Sequence, residues 1–427
     1  MSNVLIWKKV SPGSEYDIFR GVDAEQEYLL GLKNGCYNIG NRLWLQGIMS
    51  AIDTQENKYD FLPNQIDPDR INVEYDFIIL PMANIFNEKY LSNIRELADI
   101  FAKIRIPIYI IACGAQASSY EALDELIEKI GEESKRFIGA VYEANGEFGL
   151  RGNFTKEFFD RLGFPSAVVT GCPSLYQFGR DFSVCSGRPS KADVRPVFNG
   201  KIDVSKRLLD HFNKSHYMDQ DMFWTELYAE KTQAVSFRTA LACYANYGIG
   251  AMELLADDRV RLIPDMYNWK TFLTEQGYNY AFGTRIHGNI MAILAGIPAT
   301  VIAMDSRTRE MAEFFDIPFV LHEDRHVYTV DEFYHILSQA DYTKFNESFR
   351  QKYDCFAAFL TSHGIVSKIN SGNTFFAPDK KYSEPPAARN QEFYQDAVKL
   401  AKNYRGLMEL GCFLSAAKSR ILNGGSR

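Results

Sequence analysis

The sequence predicts an α/β protein built as two parallel-sheet, Rossmann-like domains followed by a helical segment. Three observations lead there. The 427 residues exceed what one core usually organises, at about 150 residues per domain. Short apolar runs rich in valine, isoleucine and tyrosine alternate with longer amphipathic stretches, as parallel strands joined by crossover helices do. A polar interval at 178–193, punctuated by Gly179, Gly187 and Pro189, then breaks the alternation. The expected units are residues 1–185, 190–338 and a helical C-terminal segment, 339–427.

In the first unit, strands are expected at 75–81, 106–112, 148–151 and 166–170, with helices at 88–103, 118–131 and 153–162. Asn153 reads as the cap of the last helix, and Gly163 with Pro165 as its stop. The second unit repeats the pattern, with strands at 194–198, 260–264, 280–283 and 299–304 and helices near 222–230, 286–295 and 308–315. Beyond about residue 337 the strand signal fades. Phe349, Tyr353, Phe356 and Leu360 then recur at helical spacing as a buried stripe, and 370–390 reads as a loop. A last helix follows Asn390, with Phe393, Ala397, Leu400, Tyr404 and Leu407 on one face.

Composition excludes several classes. With 46% hydrophobic and 24% charged residues the chain is neither disordered nor fibrous. Its net charge of −7 offers no general attraction to nucleic acid, so any bound anion needs a local site. The seven cysteines are scattered without a Cys-x-x-Cys pair, which argues against a disulfide framework and a structural zinc site and fits a reducing, cytoplasmic setting. No secretory signal is expected at 1–10. The longest apolar run, 290–304, contains Gly296 and Pro298 and is too short to span a bilayer. The histidines form no metal-binding pattern, and Walker, nucleophile-elbow and dinucleotide fingerprints are absent.

Ligands of open α/β sheets bind beside the carboxyl ends of the strands, so polar residues just after strands are the candidates. These are Cys113 to Gln116, Arg151 to Asn153, Gly171 to Ser174, Thr284 to His287 and Asp305 to Arg309. Arg285 and His287 fall at an expected helix start, where free N–H groups and the helix dipole favour an anion. Arginine grips carboxylate or phosphate with paired hydrogen bonds, and histidine exchanges protons near neutral pH. A surface arginine beside a packing histidine fits the same spacing. Arg151 also opposes a helix dipole, a cost that either an anion or a salt bridge to Glu143 or Glu147 would relieve. Arg307 and Arg309 could hold a phosphate, or simply be solvated. Asn38, Gly40 and Asn41 precede an apolar-periodic stretch, 43–49, as a helix cap or as contacts to a substrate hydroxyl.

Taken in order, Asn38-Ile39-Gly40-Asn41, Cys113-Gly114-Ala115-Gln116, Arg151 with the helix ending Arg161-Leu162-Gly163, Thr170-Gly171-Cys172-Pro173 and Gly283-Thr284-Arg285-Ile286-His287 resemble the polysaccharide pyruvyl transferase family, over roughly residues 37–320. The resemblance implies a GT-B-like pairing of the two domains. It also implies transfer of pyruvate from phosphoenolpyruvate onto two hydroxyls of a sugar as a cyclic ketal, in cell-surface glycan biosynthesis and with no cofactor beyond the donor. By this likeness Arg151, Arg285 and His287 hold the donor and assist proton transfer, with His287 protonated as the general acid. Thr284, Arg307 and Arg309 join the donor side, and Asn38, Gly40, Asn41 and Gln116 the acceptor cleft. The acceptor is a sugar, free, polymeric or linked to a nucleotide or lipid. The chain departs from the family at Asn41, Gly152 and Cys172, where acidic residues are common, which bears on the acceptor side.

Two other readings fit the same cleft. One is a GT-B glycosyltransferase that binds the ribose of a nucleotide sugar through Glu310 and Glu313. The other is a non-catalytic glycan-binding relative. The basic stretch 399–427 could touch anionic lipid at the inner membrane face, or form a solvated helix packed across the domains.

Overall fold

A computed structural model describes residues 2–8, 40–52, 56–63, 65–220, 240–241, 244, 249, 252–254, 256–263, 266–371, 391–407 and 409–410. The first sheet comprises β1 (Ser2–Ile6), β2 (Asn57–Phe61), β3 (Phe77–Pro81), β4 (Ile108–Cys113), β5 (Glu147–Leu150) and β6 (Val168–Val169). The second comprises β7 (Pro196–Asn199), β8 (Tyr217–Asp219), β9 (Val260–Leu262), β10 (Tyr280–Gly283), β11 (Ala299–Ala303) and β12 (Phe319–Leu321). The helices of the first domain are α1 (Gly40–Ile52), α2 (Pro68–Glu74), α3 (Leu91–Phe101), α4 (Leu123–Glu143) and α5 (Asn153–Arg161). In the second lie α6 (Ile202–His211), α7 (Met266–Glu275), α8 (Ile286–Leu294), α9 (Ser306–Phe315) and α10 (Val330–Gln339), followed by α11 (Thr343–Ser362) and α12 (Gln391–Asn403).

Every strand pairing is parallel, in the orders β2-β1-β3-β4-β5-β6 and β9-β8-β7-β10-β11-β12. The second is the doubly wound Rossmann order, which reverses direction between β7 and β10; the first reverses between β1 and β3. Crevices open at such reversals. The two domains pack across a shared cleft in a GT-B-like arrangement, with the helical C-terminal segment expected.

Alternation along the strands divides the first domain's core. Val4, Ile6, Phe77, Ile79, Tyr109 and Ile111 face one apolar cluster, whereas Leu5, Ile78, Leu80, Ile108 and Ile110 face another. The former cluster continues into the second domain through Leu175 and Tyr176. Tyr176 lies parallel to Phe356 of α11, with ring centroids 5.2 Å apart. Helix α11 therefore returns to the first domain. It also clamps the polar interval after Phe178, where Arg180 donates two 2.6 Å bonds to Asp354 and the side chain of Asn346 bonds both backbone groups of Val184. Phe349, Tyr353, Phe356 and Leu360 are buried as the stripe predicts.

Several expectations need correcting. Strands β1, β2, β8 and β12 were not expected; β8 and β12 have three residues each, and β2, Asn-Lys-Tyr-Asp-Phe, is too polar to stand out as an apolar run. Helix α4 continues twelve residues past Gly131 to Glu143, because that glycine sits close against Ile127 and Leu162 and packing offsets its low helix propensity. On the C-terminal face, Ala397 is buried but Tyr404 and Leu407 are exposed. Lys402 pairs with Glu253 at 2.7 Å and Arg405 with Glu409 at 2.9 Å. The helix expected at 222–230, most of the loop at 370–390 and the tail after 410 lie outside the described residues. No helix among the described residues is long and apolar enough to cross a membrane.

Candidate active site

The strand ends of both domains meet at one cavity of about 520 Å³. From the first domain come Asn84 after β3, Lys89 before α3, Gln116 after β4 and Arg151 after β5. The second contributes Lys201 after β7, Gln220 after β8, Thr284 to His287 after β10, and Asp305, Arg307 and Thr308 after β11. Five cationic side chains thus line a cavity to which one carboxylate, Asp305, contributes among the described residues.

Arg151 is the most unusual of them. It is 1% exposed, and its Nε and Nη2 have no hydrogen-bond partner. Neither expected salt bridge forms: the Glu147 carboxylate accepts from the Tyr142 hydroxyl and the Phe148 amide instead. Burial, and then the charge of Arg307, weaken the guanidinium's hold on its proton. A buried cation without a partner is costly unless a ligand supplies one.

His287, the second residue of α8, is 8% exposed, and its Nε2 lies 4.0 Å from Cys172 Sγ. Burial first, then the charges of Arg151 and Arg307, hold its pKa well below the ordinary 6.5. Burial and the two cations thus disfavour the protonated imidazole, and the expected general acid at His287 requires an anion beside those cations to offset them. Cys172 accepts a hydrogen bond from Ser174 Oγ at 3.1 Å.

The start of α8 is held from beneath. Asn199 accepts from the Arg285 amide through Oδ1 at 3.0 Å and donates through Nδ2 to Asn289 Oδ1 at 3.1 Å, while Asn289 donates to the Gly283 carbonyl at 2.9 Å. Thr284 Oγ1 accepts from the Lys201 amide at 2.9 Å. These loops touch so closely that a Cβ on Gly200, whose φ is +95°, would stand 1.9 Å from Thr284 Oγ1. Only glycine fits there.

Helix α5 shows how the domains are joined. Gly152, not Asn153, holds its N-cap position, and no side chain of its own caps it. The cap comes from the other domain: Glu310 of α9, 1% exposed, accepts from the Thr155 amide at 3.0 Å and from Thr155 Oγ1 at 2.9 Å. A Cβ on Gly152 would come within 2.9 Å of Glu310 Cβ. Ser306 adds bonds to both backbone groups of Ala117, and Gln116 donates to Asp305 at 3.0 Å.

Burial raises Glu310 to about 8, against bonds from Thr155 and the charge of Arg151 that lower it. Between its free value and about 8 the folded chain keeps this proton and the unfolded chain releases it, so stability falls as pH rises through that window. Glu310→Gln removes the titration. Thermal unfolding from pH 5 to 8 is expected to show wild type losing ground to the variant by up to about 1.4 kcal/mol per pH unit; parallel curves would contradict this.

The structure brings Arg151, Thr284, Arg285, His287, Arg307 and Gln116 to one cavity. Arg309 is elsewhere: its Nε pairs with Glu313 at 2.8 Å and its guanidinium lies 3.9 Å from the centre of the Tyr120 ring. Glu310 and Glu313, the supposed ribose ligands, are occupied by Thr155 and by Arg309 and Tyr120. Gly40 begins α1 and is not among the residues lining the cavity; Asn38 and the side chain of Asn41 lie outside the described residues. Sequence reasoning missed Lys89, Lys201 and Gln220. Lys201 follows an expected strand and was open to the same rule, whereas Gln220 follows a three-residue strand that leaves no signal.

Two parallel α/β domains with a cationic cavity at their strand ends define a doubly wound α/β protein with a candidate anion-binding site between its domains. The sequence model of the polysaccharide pyruvyl transferase family matches residues 24–306, and the chain belongs to that family. Among solved structures, Staphylococcus aureus MnaA in a co-structure with UDP shares 12% identity at a TM-score of 0.44, covering 86% of this chain and 98% of that one. A UDP-N-acetylglucosamine 2-epimerase shares 12% at 0.38, covering 85% and 96%. The glycosyltransferase SnogD from Streptomyces nogalater shares 9% at 0.32, covering 83% and 95%. No curated protein matches the chain significantly.

Proposed function

We propose that the chain transfers pyruvate from phosphoenolpyruvate to a sugar diol as a cyclic ketal, modifying a cell-surface polysaccharide or its precursor. The observation that carries this reading is a buried Arg151, two of whose nitrogens lack a hydrogen-bond partner, placed with Arg307 and Arg285 around a buried imidazole. Such a set suits a small, highly charged anion that must also exchange a proton.

In this mechanism Arg151, Arg285 and Arg307 grip the donor's carboxylate and phosphate. Their charges are offset by the donor, so His287 can take up a proton and deliver it to the methylene carbon, which becomes the methyl group. A sugar hydroxyl adds to the resulting cationic carbon and loses its proton. The carbon–oxygen bond to phosphate breaks, and the arginines stabilise the departing dianion. The second hydroxyl closes the ring. Of the two hydroxyl protons lost overall, one is balanced by the new methyl and one leaves with phosphate.

The test is to incubate the protein with phosphoenolpyruvate and a panel of sugar acceptors. Acceptor-dependent phosphate release, with a ketal-linked pyruvate found by mass spectrometry, supports the reading. Consumption of a nucleotide sugar without phosphate release from phosphoenolpyruvate would replace it with the glycosyltransferase reading, which lost its ribose ligands when Glu310 and Glu313 proved occupied.

A further inference from the structure

Arg151 and Arg307 reach the cavity from different domains, and no hydrogen bond holds Arg151 Nε or Nη2 in place. The charge of Arg307 is felt at Arg151, so the protein holds two like charges near each other across its domain boundary. Their spacing must therefore be set by contacts between the elements that carry them. Arg151 leads into α5, and Arg307 lies in the first turn of α9.

The buried polar contact between those elements is Glu310 with Thr155. Glu310 shares α9 with Arg307, and accepts from the Thr155 amide at 3.0 Å and from Thr155 Oγ1 at 2.9 Å. Thr155 Oγ1 in turn accepts from the Ala115 amide at 2.8 Å, which ties in the loop after β4. The carboxyl group also flanks the arginine stem: a Cβ on Gly114 would stand 3.2 Å from Arg151 Cδ and 3.5 Å from Glu310 Oε1. Hydrogen bonds weaken steeply with distance and angle, so this contact fixes the register of α5 on α9 more narrowly than apolar packing would. Glu310 is 1% exposed and is not among the residues that line the cavity, so its influence on a ligand passes through the groups that do.

Resting on the pyruvyl-transfer reading, we propose that Glu310 is a positioning residue for the donor: through Thr155 it registers α5 on α9, and so sets the spacing of Arg151 and Arg307 that the donor's carboxylate and phosphate bridge. Part of the donor's affinity is then preorganisation supplied by a side chain outside the cavity.

Calorimetry on the full chain tests this, with phosphoenolpyruvate and inorganic phosphate as parallel probes. Glu310→Ala and Thr155→Val each remove the contact, and each is expected to weaken both probes about 10- to 100-fold at unchanged stoichiometry, the range for a positioning group displaced by about 1 Å. The double variant should bind no more weakly than the more affected single variant, because both side chains act through one contact. Glu310→Gln keeps an oxygen for the Thr155 donors and should restore affinity to within about threefold of wild type. Thr155→Val preserves the shape of the side chain, so it serves even if Glu310→Ala fails to fold. A merely structural contact would lower the stoichiometry, as fewer molecules fold, and leave the dissociation constants alone. That result, additive losses in the double variant, or failure of Glu310→Gln to restore binding would overturn the positioning role. Phosphate binding that depends on Glu310, without any phosphoenolpyruvate binding, would keep the positioning role and remove the pyruvyl-transfer reading. Absence of binding by both probes would overturn both.

Discussion

His287→Ala lowers ketal formation roughly 10²–10⁴-fold, the range of a lost general acid or base, while donor affinity falls much less. The assay is acceptor-dependent phosphate release under saturating donor. A companion measurement separates chemistry from packing. Burial and the charges of Arg151 and Arg307 hold the imidazole's pKa well below 6.5, and an anionic donor offsets those charges. Donor binding near pH 7 is thus expected to take up as much as one proton through His287, and affinity to weaken as pH rises above the pKa of the complex. Calorimetry in buffers of different ionisation enthalpy reads that uptake. The donor's phosphate also titrates, so the relevant quantity is the difference between wild type and His287→Ala. No difference, or full turnover in the variant, would take His287 out of the proton path.

Arg151→Met should separate activity from stability more sharply still. The substitution keeps an unbranched apolar stem, and removes a charge that is fully buried with two unpartnered nitrogens. Desolvating a buried charge costs several kcal/mol that only good pairing repays, so an apolar side chain in its place is expected to be neutral or stabilising. The melting temperature of the ligand-free variant is expected to equal or exceed that of wild type. Turnover should nevertheless fall roughly 10²–10³-fold, as when a preorganised donor to a developing charge is lost. Stabilisation by phosphoenolpyruvate in thermal shift should disappear as well. A variant that melts far below wild type would make Arg151 a structural residue, and one that keeps its turnover would exclude it from donor binding.

The legible part of the candidate site was the part that follows a recognisable apolar run and itself carries a polar cluster. Strand β10 and helix α8 fall where the apolar run and the polar tetrad Thr284 to His287 place them, so Arg285 and His287 were found together. Arg151 was found in the same way, but not its isolation: whether Glu147 reached it depended on Tyr142 and the Phe148 amide claiming that carboxylate. Arg307 and Arg309, two residues apart on one helix, looked equivalent. They point to different surroundings, one to the cavity and the other to Tyr120 and Glu313. Asn153 looked like a cap because its chemistry suits one, yet a carboxylate from the other domain caps that helix.

By itself the sequence determined the α/β design, the post-strand position of most residues that line the cavity, and the family, since these rest on apolar periodicity and on short motifs that hold wherever the chain is placed. Only the tertiary structure decided which cation has nitrogens without hydrogen-bond partners, that burial and nearby cations depress the pKa of His287, that Glu310 locks α9 onto α5, and that Lys201 and Gln220 join the cavity. The physical reason is that charge state and hydrogen-bond partnership depend on burial and on distances between residues far apart in sequence. Local pattern encodes neither.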